Sequence, residues 1–414
     1  MRAAYYVARV MTANDLLVIG GGISGLALAW HAAKAGKTVR VLEAGPRLGG
    51  CLDSRRGPDG FWFEMGAHTM YNSYGALLEI AQGSPAPVTI VERGEARKKF
   101  GRLHQGALSM MGPISVFKQF SFFELATKVP LAPFRSKKGK TTREHWSAVL
   151  GAQNYAKVLG PFLSAVPSQV VDDFPIDGPG SLFNKRPRNQ AVVKSYTFEG
   201  GTGAIVDAIK SAGVETEVDA RVTSIARQGE GWLVELDGGR RLEAARLALA
   251  VDPATAAKLV ATVRPELAAA LARLKTVTLD SIGVVVDKGA TSLPEMAFVV
   301  PTDDVFWSAV TRDPVPDDKR RAFTFHFKPG SERPAQLTRI ADLLGVDAKA
   351  FQVVAERKTV LPSPARDHAD VVAAIDRAIA GTTLSVTGNF FDGLAIEDCV
   401  LRSKAEWARL ASGR

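Results

Sequence analysis

A run of apolar and glycine residues near the start of the chain constrains the fold more than any other feature of the sequence. Leu16 to Ile19 form a short apolar stretch, which is typical of a buried parallel strand. A G-x-G-x-x-G pattern follows it, with glycines at positions 20, 22 and 25. In such a pattern Gly20 permits a tight turn, Gly22 lets a pyrophosphate approach the backbone, and Gly25 lets a helix pack on the strand. The segment therefore predicts a strand that turns directly into a helix.

The residues after this turn complete a nucleotide-binding unit. Ile23 and Ser24 lie in the turn, and we expect a helix from about Gly25 to Ala35, whose first N–H groups point at phosphates. A second strand, Thr38 to Leu42, ends at Glu43, where an acid accepts hydrogen bonds from a ribose 2′-OH. The whole unit predicts a Rossmann-type α/β domain that binds an adenine dinucleotide: NAD, NADP or FAD.

The segment that follows Glu43 selects among these cofactors. It reads E-A-G-P-R-L-G-G, so that Ala44 and Arg47 precede a second pair of glycines, Gly49 and Gly50. The glycine pair lets the chain pass close to a cofactor, and the arginine offers a forked donor to phosphate or ribose oxygens. This arrangement is the pattern of flavoproteins of the glutathione-reductase-like class. We therefore expect FAD, bound non-covalently.

Longer stretches resemble the superfamily of protoporphyrinogen oxidases and flavin amine oxidases. The stretches R-L-G-G-C-L-D-S (47–54) and G-P-D-G-F-W-F-E-M-G-A-H (57–68) look like the start of these proteins. F-E-G-G-T-G-A-I-V-D-A-I (198–209) resembles their F-x-G-G segment, and 386–400 resembles their C-terminal flavin motif, with G-L-A-I-E-D-C closest to protoporphyrinogen oxidases. The chain departs from the family at Cys51, where Arg or Trp is usual, and at Asn389, where many relatives carry Asp. The resemblance runs from about residue 15 to the end and implies FAD and the fold.

The resemblance also implies further cofactor contacts. The turn Gly66–Ala67, with His68 after it, is expected beside the flavin, and Val222 over the adenosine half. A strand ending at Gly388 is expected to lead through a loop into a helix near Gly393, whose N–H groups would face the pyrimidine edge. The full expected cofactor set is Gly20, Gly22, Ile23, Ser24, Gly25, Glu43, Ala44, Arg47, Gly49, Gly50, Gly66, Ala67, His68, Val222, Gly388, Asn389, Gly393, Leu394 and Ala395.

Candidates for the substrate pocket must lie near Gly66 and Gly393. On that ground they are His68, Tyr71, Asn389, Phe390 and Phe391; the sequence assigns no catalytic residue. His326, between two phenylalanines on an expected strand, is read more simply as a satisfied histidine of a sheet than as a cavity residue. Many amine oxidases place a lysine near the flavin on the strand where this chain has Asp280 or Ser281, which counts against ordinary amine oxidation.

Cysteine content and charge limit the other classes of function. The two cysteines, Cys51 and Cys399, form no disulfide framework and no zinc pattern, so that we expect a reducing, cytoplasmic location and no metal site. The net charge is +9, and basic residues cluster in three places between Arg93 and Arg188. A basic solvated face, an acidic substrate such as a porphyrinogen with its propionates, and an anionic membrane surface all fit this charge. Nucleic acid is not expected, because no recognition motif accompanies it.

We expect three regions in a chain of 414 residues. Residues 1–82, 196–265 and 383–414 form the FAD-binding domain, and 83–112 with 266–382 form an inserted mixed-sheet substrate-binding domain. Residues 113–195 form a helical subdomain, with helices over 116–126 and 146–163. The family resemblance makes this subdomain a peripheral membrane contact at the inner face of the membrane; a soluble cap over the active site is the equal alternative. Residues 1–10 are read as a tail or a misassigned start.

These features lead to one main hypothesis of function and two alternatives. The main one is an FAD-dependent oxidoreductase that takes hydride from a small organic molecule and passes electrons to dioxygen or another acceptor, in the manner of a protoporphyrinogen oxidase. An amine oxidase or carotenoid-type desaturase is the first alternative. A flavin-binding protein without catalysis is the second. The sequence leaves the oligomeric state open.

Overall fold

The structure is a computed structural model that describes residues 14–182 and 184–413. The expectations for residues 1–10 lie outside this range. The strands in chain order are β1 (Asn14–Ile19), β2 (Val39–Leu42), β3 (Ser54–Arg56), β4 (Trp62–Glu64), β5 (Met70–Tyr71), β6 (Ile90–Glu92), β7 (Phe100–His104), β8 (Ala107–Met111), β9 (Ser195–Phe198), β10 (Glu215–Glu217), β11 (Val222–Gln228), β12 (Gly231–Leu236), β13 (Arg241–Leu249), β14 (Thr276–Asp287), β15 (Phe298–Pro301), β16 (Phe306–Thr311), β17 (Arg320–Phe327), β18 (Val353–Pro362) and β19 (Leu384–Val386).

The α-helices connect and cover these strands. In chain order they are α1 (Ile23–Lys34), α2 (Gly75–Gly83), α3 (Pro113–Phe117), α4 (Phe122–Lys128), α5 (Thr142–Leu150), α6 (Ala152–Asn154), α7 (Gly160–Ala165), α8 (Ala204–Ser211), α9 (Pro253–Val260), α10 (Pro265–Ala272), α11 (Arg333–Leu344), α12 (His368–Ile379) and α13 (Ile396–Ser412). A π-helical turn, Tyr155–Leu159, joins α6 to α7, and short 3-10 turns occur elsewhere. Along the described residues, no helix is both long and apolar enough to span a bilayer.

The first large sheet contains the predicted nucleotide-binding unit. Its order is β10-β2-β1-β13-β12-β11, and β19 also pairs with β13. Strands β2, β1, β13 and β19 run parallel, whereas β11, β12 and β13 form an antiparallel meander whose second turn is Asp237–Gly239. Alternate residues of β1 enter two hydrophobic clusters: Leu16 and Val18 pack toward α1, α2, α8 and α13, while Leu17 and Ile19 pack toward α9, α10 and α12. The sheet is therefore covered by helices on both faces, as a doubly wound fold requires.

Residues from both ends of the chain build this layer. Strand β19 and helix α13 come from the last 31 residues (384–414) and pack beside β13 and α1. The hydroxyl of Ser403 donates to the backbone oxygen of Ser24 at 2.8 Å, which ties α13 to the first turn of α1. Long-range association of this kind places the C-terminal motif next to the N-terminal fingerprint.

The second large sheet has the order β18-β14-β17-β16-β15-β7-β8. It is antiparallel except for the parallel pair β15 and β7, so it is the mixed sheet expected for the inserted region. Helix α11 covers one face through Ile340 and Leu344. The other face meets Phe61, Phe63 and Met65, which follow or flank β4. Strand β4 thus lies between the nucleotide-binding layer and this sheet. The domain boundaries drawn from the sequence stay a prediction; β6, from residues 83–112, pairs with β9 and not with the second sheet.

The helical region differs from the sequence expectation in two places. The helix predicted over 116–126 is broken between α3 and α4, and the helix predicted over 146–163 is interrupted after Leu150. Gly151 explains the second break, because its φ of +100° lies outside the helical region. From 166 to 194 the described residues form no α-helix or strand, so the helices occupy only the first part of 113–195.

Candidate functional site

At two glycines of the first turn, neighbouring backbone atoms leave no room for a side chain. A Cβ on Gly20 would lie 2.3 Å from the backbone oxygen of Ala250, and one on Gly25 would lie 2.0 Å from the backbone oxygen of Gly20. Gly22 is different, because a Cβ there would meet only the Cα of Gly50, at 3.8 Å. Its φ of −73° suits any residue. The open space in front of Gly22 is therefore where the sequence predicts the pyrophosphate, and α1 begins immediately after it at Ile23, two residues earlier than predicted.

Glu43 follows β2 and is held by backbone donors. Its Oε2 accepts from the N–H of Gly21 at 2.8 Å, and its Oε1 accepts from the N–H of Gly45 at 2.9 Å. These bonds fix the carboxylate at the end of the strand, beside the exposed Ala44. Each carboxylate oxygen can accept a second hydrogen bond, so Glu43 retains the capacity to bind ribose hydroxyls.

The second glycine turn packs on the first. The N–H of Gly49 donates to the backbone oxygen of Gly21 at 2.8 Å, and both Gly49 and Gly50 have positive φ, +102° and +57°. Arg47 differs from its predicted role as a donor to the cofactor. Its guanidinium donates to the backbone oxygens of Leu48, Leu52 and Gly50. Arg47 therefore holds the turn in shape, because three carbonyls of the turn lie within its reach.

The turn at Gly66 also leaves no room for a side chain. A Cβ on Gly66 would lie 2.4 Å from the backbone oxygen of Cys51 and 2.7 Å from Nη1 of Arg357. The N–H of Ala67 donates to the same Cys51 oxygen at 3.0 Å, which pairs this turn with the second glycine turn. The glycines at 22, 50 and 66 lie on adjoining turns that together form a glycine seam, which the side chain of Arg357 approaches at Gly66. The lack of side chains at Gly22 and Gly50 fits the close approach of a dinucleotide cofactor.

The C-terminal motif reaches the site from β19. A Cβ on Gly388 would lie 2.3 Å from the ring of Phe390. A Cβ on Gly393 would lie 2.5 Å from a carboxylate oxygen of Asp398. Helix α13 begins at Ile396 and not near Gly393, so that Leu394 precedes it and Ala395 is its N-cap. The sequence signal for the later start is the acidic pair Glu397 and Asp398, because acids favour the first turn of a helix. Asn389 lies half-buried between Gly388 and Phe390.

Three predicted pocket residues lie elsewhere. Phe390 and Phe391 are 2% and 0% exposed, pack on each other at 4.9 Å between ring centroids, and belong to the core under α9, α10 and α12. They therefore belong to the core and do not form the predicted cavity wall, because the loop after Gly388 turns them away from solvent. Tyr71 lies at the surface, 46% exposed, edge-on to Tyr74. Val222, the predicted cover of the adenosine half, is half-buried against the same core as Phe390.

A small cavity lies between β4 and the second sheet. It encloses about 30 Å³ and is lined on one side by Glu64 and His68, and on the other by Arg93, Thr197, Arg312 and Thr324, with further apolar residues. His68 is the pocket candidate from the sequence that lines it. The structure adds Arg93, Arg312 and Glu64. Arg93 belongs to the first of the basic clusters in the sequence, and the charge pattern alone carries no signal of its burial.

Arg93 places a positive charge at the cavity, and no carboxylate of the described residues forms an ion pair with it. The side chain of Arg93 is buried and donates to the Ser195 hydroxyl at 3.3 Å, and within the described residues it forms no ion pair. Burial lowers the pKa of Arg93 to about 10, which still leaves it protonated near neutral pH. The guanidinium of Arg312 lies 4.5 Å from the rings of Phe61 and Trp62, and its Nε has no hydrogen-bond partner.

The other two titratable groups of the cavity, His68 and Glu64, have pKa values that are shifted in favour of their uncharged forms. Desolvation, helped by the positive charge of Arg93, lowers the pKa of His68 to about 3. The carboxyl of Glu64 bonds the N–H and hydroxyl of Thr202 and the hydroxyl of Ser54, and burial raises its pKa to about 7. The cavity therefore presents two cations, a neutral imidazole and a carboxyl that exchanges its proton near neutral pH. The described residues hold no cluster of three or more His, Cys, Asp or Glu side chains suited to a metal.

The fold, the glycine seam and the C-terminal motif define a class of protein that the comparisons identify. The chain belongs to the family of flavin containing amine oxidoreductases, whose model matches residues 23–288. It is similar to a coproporphyrinogen III oxidase of Propionibacterium freudenreichii subsp. freudenreichii, with 23% identity over 93% of this chain and 88% of that protein. A carotenoid 3,4-desaturase of Haloarcula japonica is 25% identical over 54% of this chain and 53% of its own.

Solved structures share the whole fold. A protein of Exiguobacterium sp. 255-15, provisionally named a protoporphyrinogen oxidase, superposes with a TM-score of 0.77 at 18% identity, covering 98% of this chain and 100% of its own. Cyclohexylamine oxidase of Brevibacterium oxydans IH-35A gives 0.72 at 14% identity, over 97% and 99%. The family model confirms the predicted family, and the solved structures confirm the predicted fold class. The protein is an FAD-dependent oxidoreductase.

Proposed function

We propose that the protein oxidises a small organic substrate that bears carboxylate side arms, and that this substrate is a porphyrinogen. The observation that carries the proposal is the buried Arg93, which lines the cavity without a carboxylate partner among the described residues. A buried, unpaired cation is costly, and a bound anion offsets that cost. The relative named as a coproporphyrinogen III oxidase adds support, because porphyrinogens carry propionates.

The size of the cavity fits an arm of the substrate. About 30 Å³ exceeds the roughly 10–15 Å³ that one water molecule needs in a cavity, so the cavity can receive the carboxylate of a substrate arm. Arg93 and Arg312 would pair with that group, and the neutral His68 would bond it without adding charge. Bound FAD accepts the hydride. The residues of the chain orient the substrate and exclude water from it.

The same charges bear on the alternatives. An amine substrate is a cation at neutral pH, and a carotenoid is apolar. Both would leave Arg93 without a counter-ion, and the ammonium of an amine would also be repelled by Arg93 and Arg312. The cavity therefore favours an acidic substrate over an amine oxidase or a carotenoid-type desaturase.

The test uses the purified FAD-loaded protein with coproporphyrinogen III and protoporphyrinogen, and porphyrin fluorescence as the readout with dioxygen or an artificial acceptor. We expect Arg93→Gln to lower kcat/KM at least tenfold, mainly through KM, and Arg93→Lys to recover part of the loss. Lys98→Gln is the matched control, because Lys98 belongs to the same basic stretch but lies exposed in a pair with Glu95. Oxidation of neither porphyrinogen, or full activity in Arg93→Gln, would overturn the proposal.

We further infer that α4 and the segment that follows it, up to residue 138, contact an anionic lipid surface. Phe122, Phe123 and Phe134 are 75%, 77% and 85% exposed, which is unusual for three phenylalanines close together in sequence. The exposed basic residues Arg135, Lys137 and Lys138 follow directly. Apolar rings beside lysines and arginines match the acyl and headgroup regions of an anionic bilayer. This supports membrane contact over a cap packed on the active site.

A further inference from the structure

Arg357, on β18, reaches across to the glycine seam. Its Nη2 donates to the backbone oxygen of Gly50 at 3.0 Å, and its Nη1 lies 2.7 Å from the place of a Cβ on Gly66. Its side chain is 12% exposed. Its Nη1 is shielded from solvent and has no hydrogen-bond partner. The sequence-based reading of the site did not include this residue, since an isolated arginine in an alternating strand carries no signal for a cofactor.

The strand register brings two further polar residues beside it. Ser281 of β14 is paired with Arg357 on one side and with His326 of β17 on the other. The Ser281 hydroxyl and Nδ1 of His326 are 2.8 Å apart, which satisfies this histidine within the sheet. Gly283, two residues on, shares this face, and a Cβ there would lie 2.4 Å from the sulfur of Met65. The face therefore points toward Met65 and Gly66.

The charge on this face is positive. Asp53 is nearly fully buried, and its carboxylate oxygens lie 3.3 Å from Arg47, 2.8 Å from Arg55 and 3.6 Å from Arg357. One carboxylate cannot neutralise three guanidinium groups. His326 adds no charge, because burial and the nearby Arg357 lower its pKa to about 4.

We propose that Arg357 is the cation that faces the flavin ring and stabilises the negative charge which the ring gains on reduction. Arg357 touches Gly66, which is expected beside the flavin, and Gly50, which is expected close to the cofactor. A fixed positive charge near a flavin raises its tendency to accept electrons, which is a main way in which a protein tunes this cofactor. The inference rests on the bound FAD and not on the identity of the substrate.

The test measures the flavin without substrate. Sulfite adds reversibly to oxidised flavin and leaves negative charge on the ring, so that its affinity reports local positive charge. In FAD-saturated protein we expect Arg357→Gln to weaken sulfite binding at least tenfold. We also expect it to lower the equilibrium constant of two-electron reduction about tenfold, which corresponds to about 30 mV in midpoint potential. Arg357→Lys should stay near the wild-type values. Lys358→Gln is the matched control, because it removes an exposed cation of the same strand that pairs with Asp280 and not with Asp53, and it should leave both quantities unchanged.

A second variant keeps the proposal testable if Arg357→Gln does not retain FAD. Asp53→Asn removes the carboxylate that offsets Arg357, so it should tighten sulfite binding at least threefold. Sulfite affinity and potential that do not change in Arg357→Gln, or weaker sulfite binding in Asp53→Asn, would overturn the proposal. Weaker FAD binding with an unchanged potential would also overturn it and would show that Arg357 only holds the cofactor. Porphyrinogen turnover plays no part in these readouts, so failure of the proposed substrate leaves them intact.

Discussion

The carboxylate of Glu397 accepts a hydrogen bond from the backbone N–H of Ala76 at 2.8 Å, and a second from Leu77 at 3.0 Å. Glu397 lies in the first turn of α13, and Ala76 and Leu77 lie in the first turn of α2. A side chain from the C-terminal motif therefore caps a helix more than three hundred residues earlier in the chain. The bond joins the two parts of the chain that line the predicted cofactor seam.

Glu397→Ala should destabilise the protein by about 2–3 kcal/mol, because two buried N–H groups lose a charged acceptor. Denaturant unfolding of the FAD-loaded protein measures this change. Glu79→Ala is the control: Glu79 also joins α2 to α13, through Lys404, but that pair is exposed and should contribute less than about 1 kcal/mol. Equal effects of the two substitutions would contradict the prediction.

Glu64 should make stability fall as the pH rises from about 4.5 to about 7. Its pKa is raised to about 7 in the folded protein from 4.5, so between these values the folded state keeps a proton that the unfolded state has lost. Stability decreases with pH wherever the unfolded state binds fewer protons, here by on the order of 3 kcal/mol across the window.

The measurement for Glu64 is the difference in unfolding free energy between wild type and Glu64→Gln at several pH values in this window. The difference is needed because the buried His31, His68 and His326, whose pKa values are lowered, give the opposite slope below about 6.5. Parallel pH profiles for the two proteins would refute the assignment.

Gly22→Ala and Gly25→Ala should separate cofactor binding from folding. A Cβ on Gly22 has open space and an ordinary φ, so this variant should fold but bind FAD at least tenfold more weakly, since the methyl group occupies the expected place of the pyrophosphate. A Cβ on Gly25 would lie 2.0 Å from a backbone oxygen, so this variant should lose stability outright. Circular dichroism and FAD titration check both; unchanged FAD affinity in folded Gly22→Ala would place the pyrophosphate elsewhere.

Replacement of Phe122 and Phe123 by Ser should reduce sedimentation of the protein with vesicles that contain an anionic phospholipid by at least fivefold, because the exposed rings supply the apolar contact. Zwitterionic vesicles should bind the wild type weakly. Val305→Ser, at an exposed apolar residue far along the chain, is the control and should sediment like the wild type. A double variant that still sediments fully would remove the membrane inference.

The sequence predicted the parts of the site that depend on backbone geometry. Gly20 and Gly25 are required by contacts within a few ångströms of the turn, and such local demands leave a fixed spacing in the sequence. Side-chain roles were predicted less well. Arg47 has the expected position, but its donors are taken by neighbouring carbonyls. Phe390 and Phe391 look like pocket walls beside a glycine turn, yet only the path of the loop decides that they face the core.

The fingerprint from Asp15 to Glu43, with its second glycine turn, determined the cofactor class and the α/β layer, because strand, turn and helix are set by residues adjacent in the chain. The tertiary structure alone decided what faces the seam. Arg357 is distant in sequence from Gly50 and Gly66, which it contacts, and Arg93 is distant from Arg312 and Thr324, which line the same cavity. In the sequence a buried arginine looks the same as an arginine at the surface. The two buried arginines differ from surface arginines because they are shielded from solvent and have few or no carboxylates near them. Both properties arise only when the two sheets pack around β4.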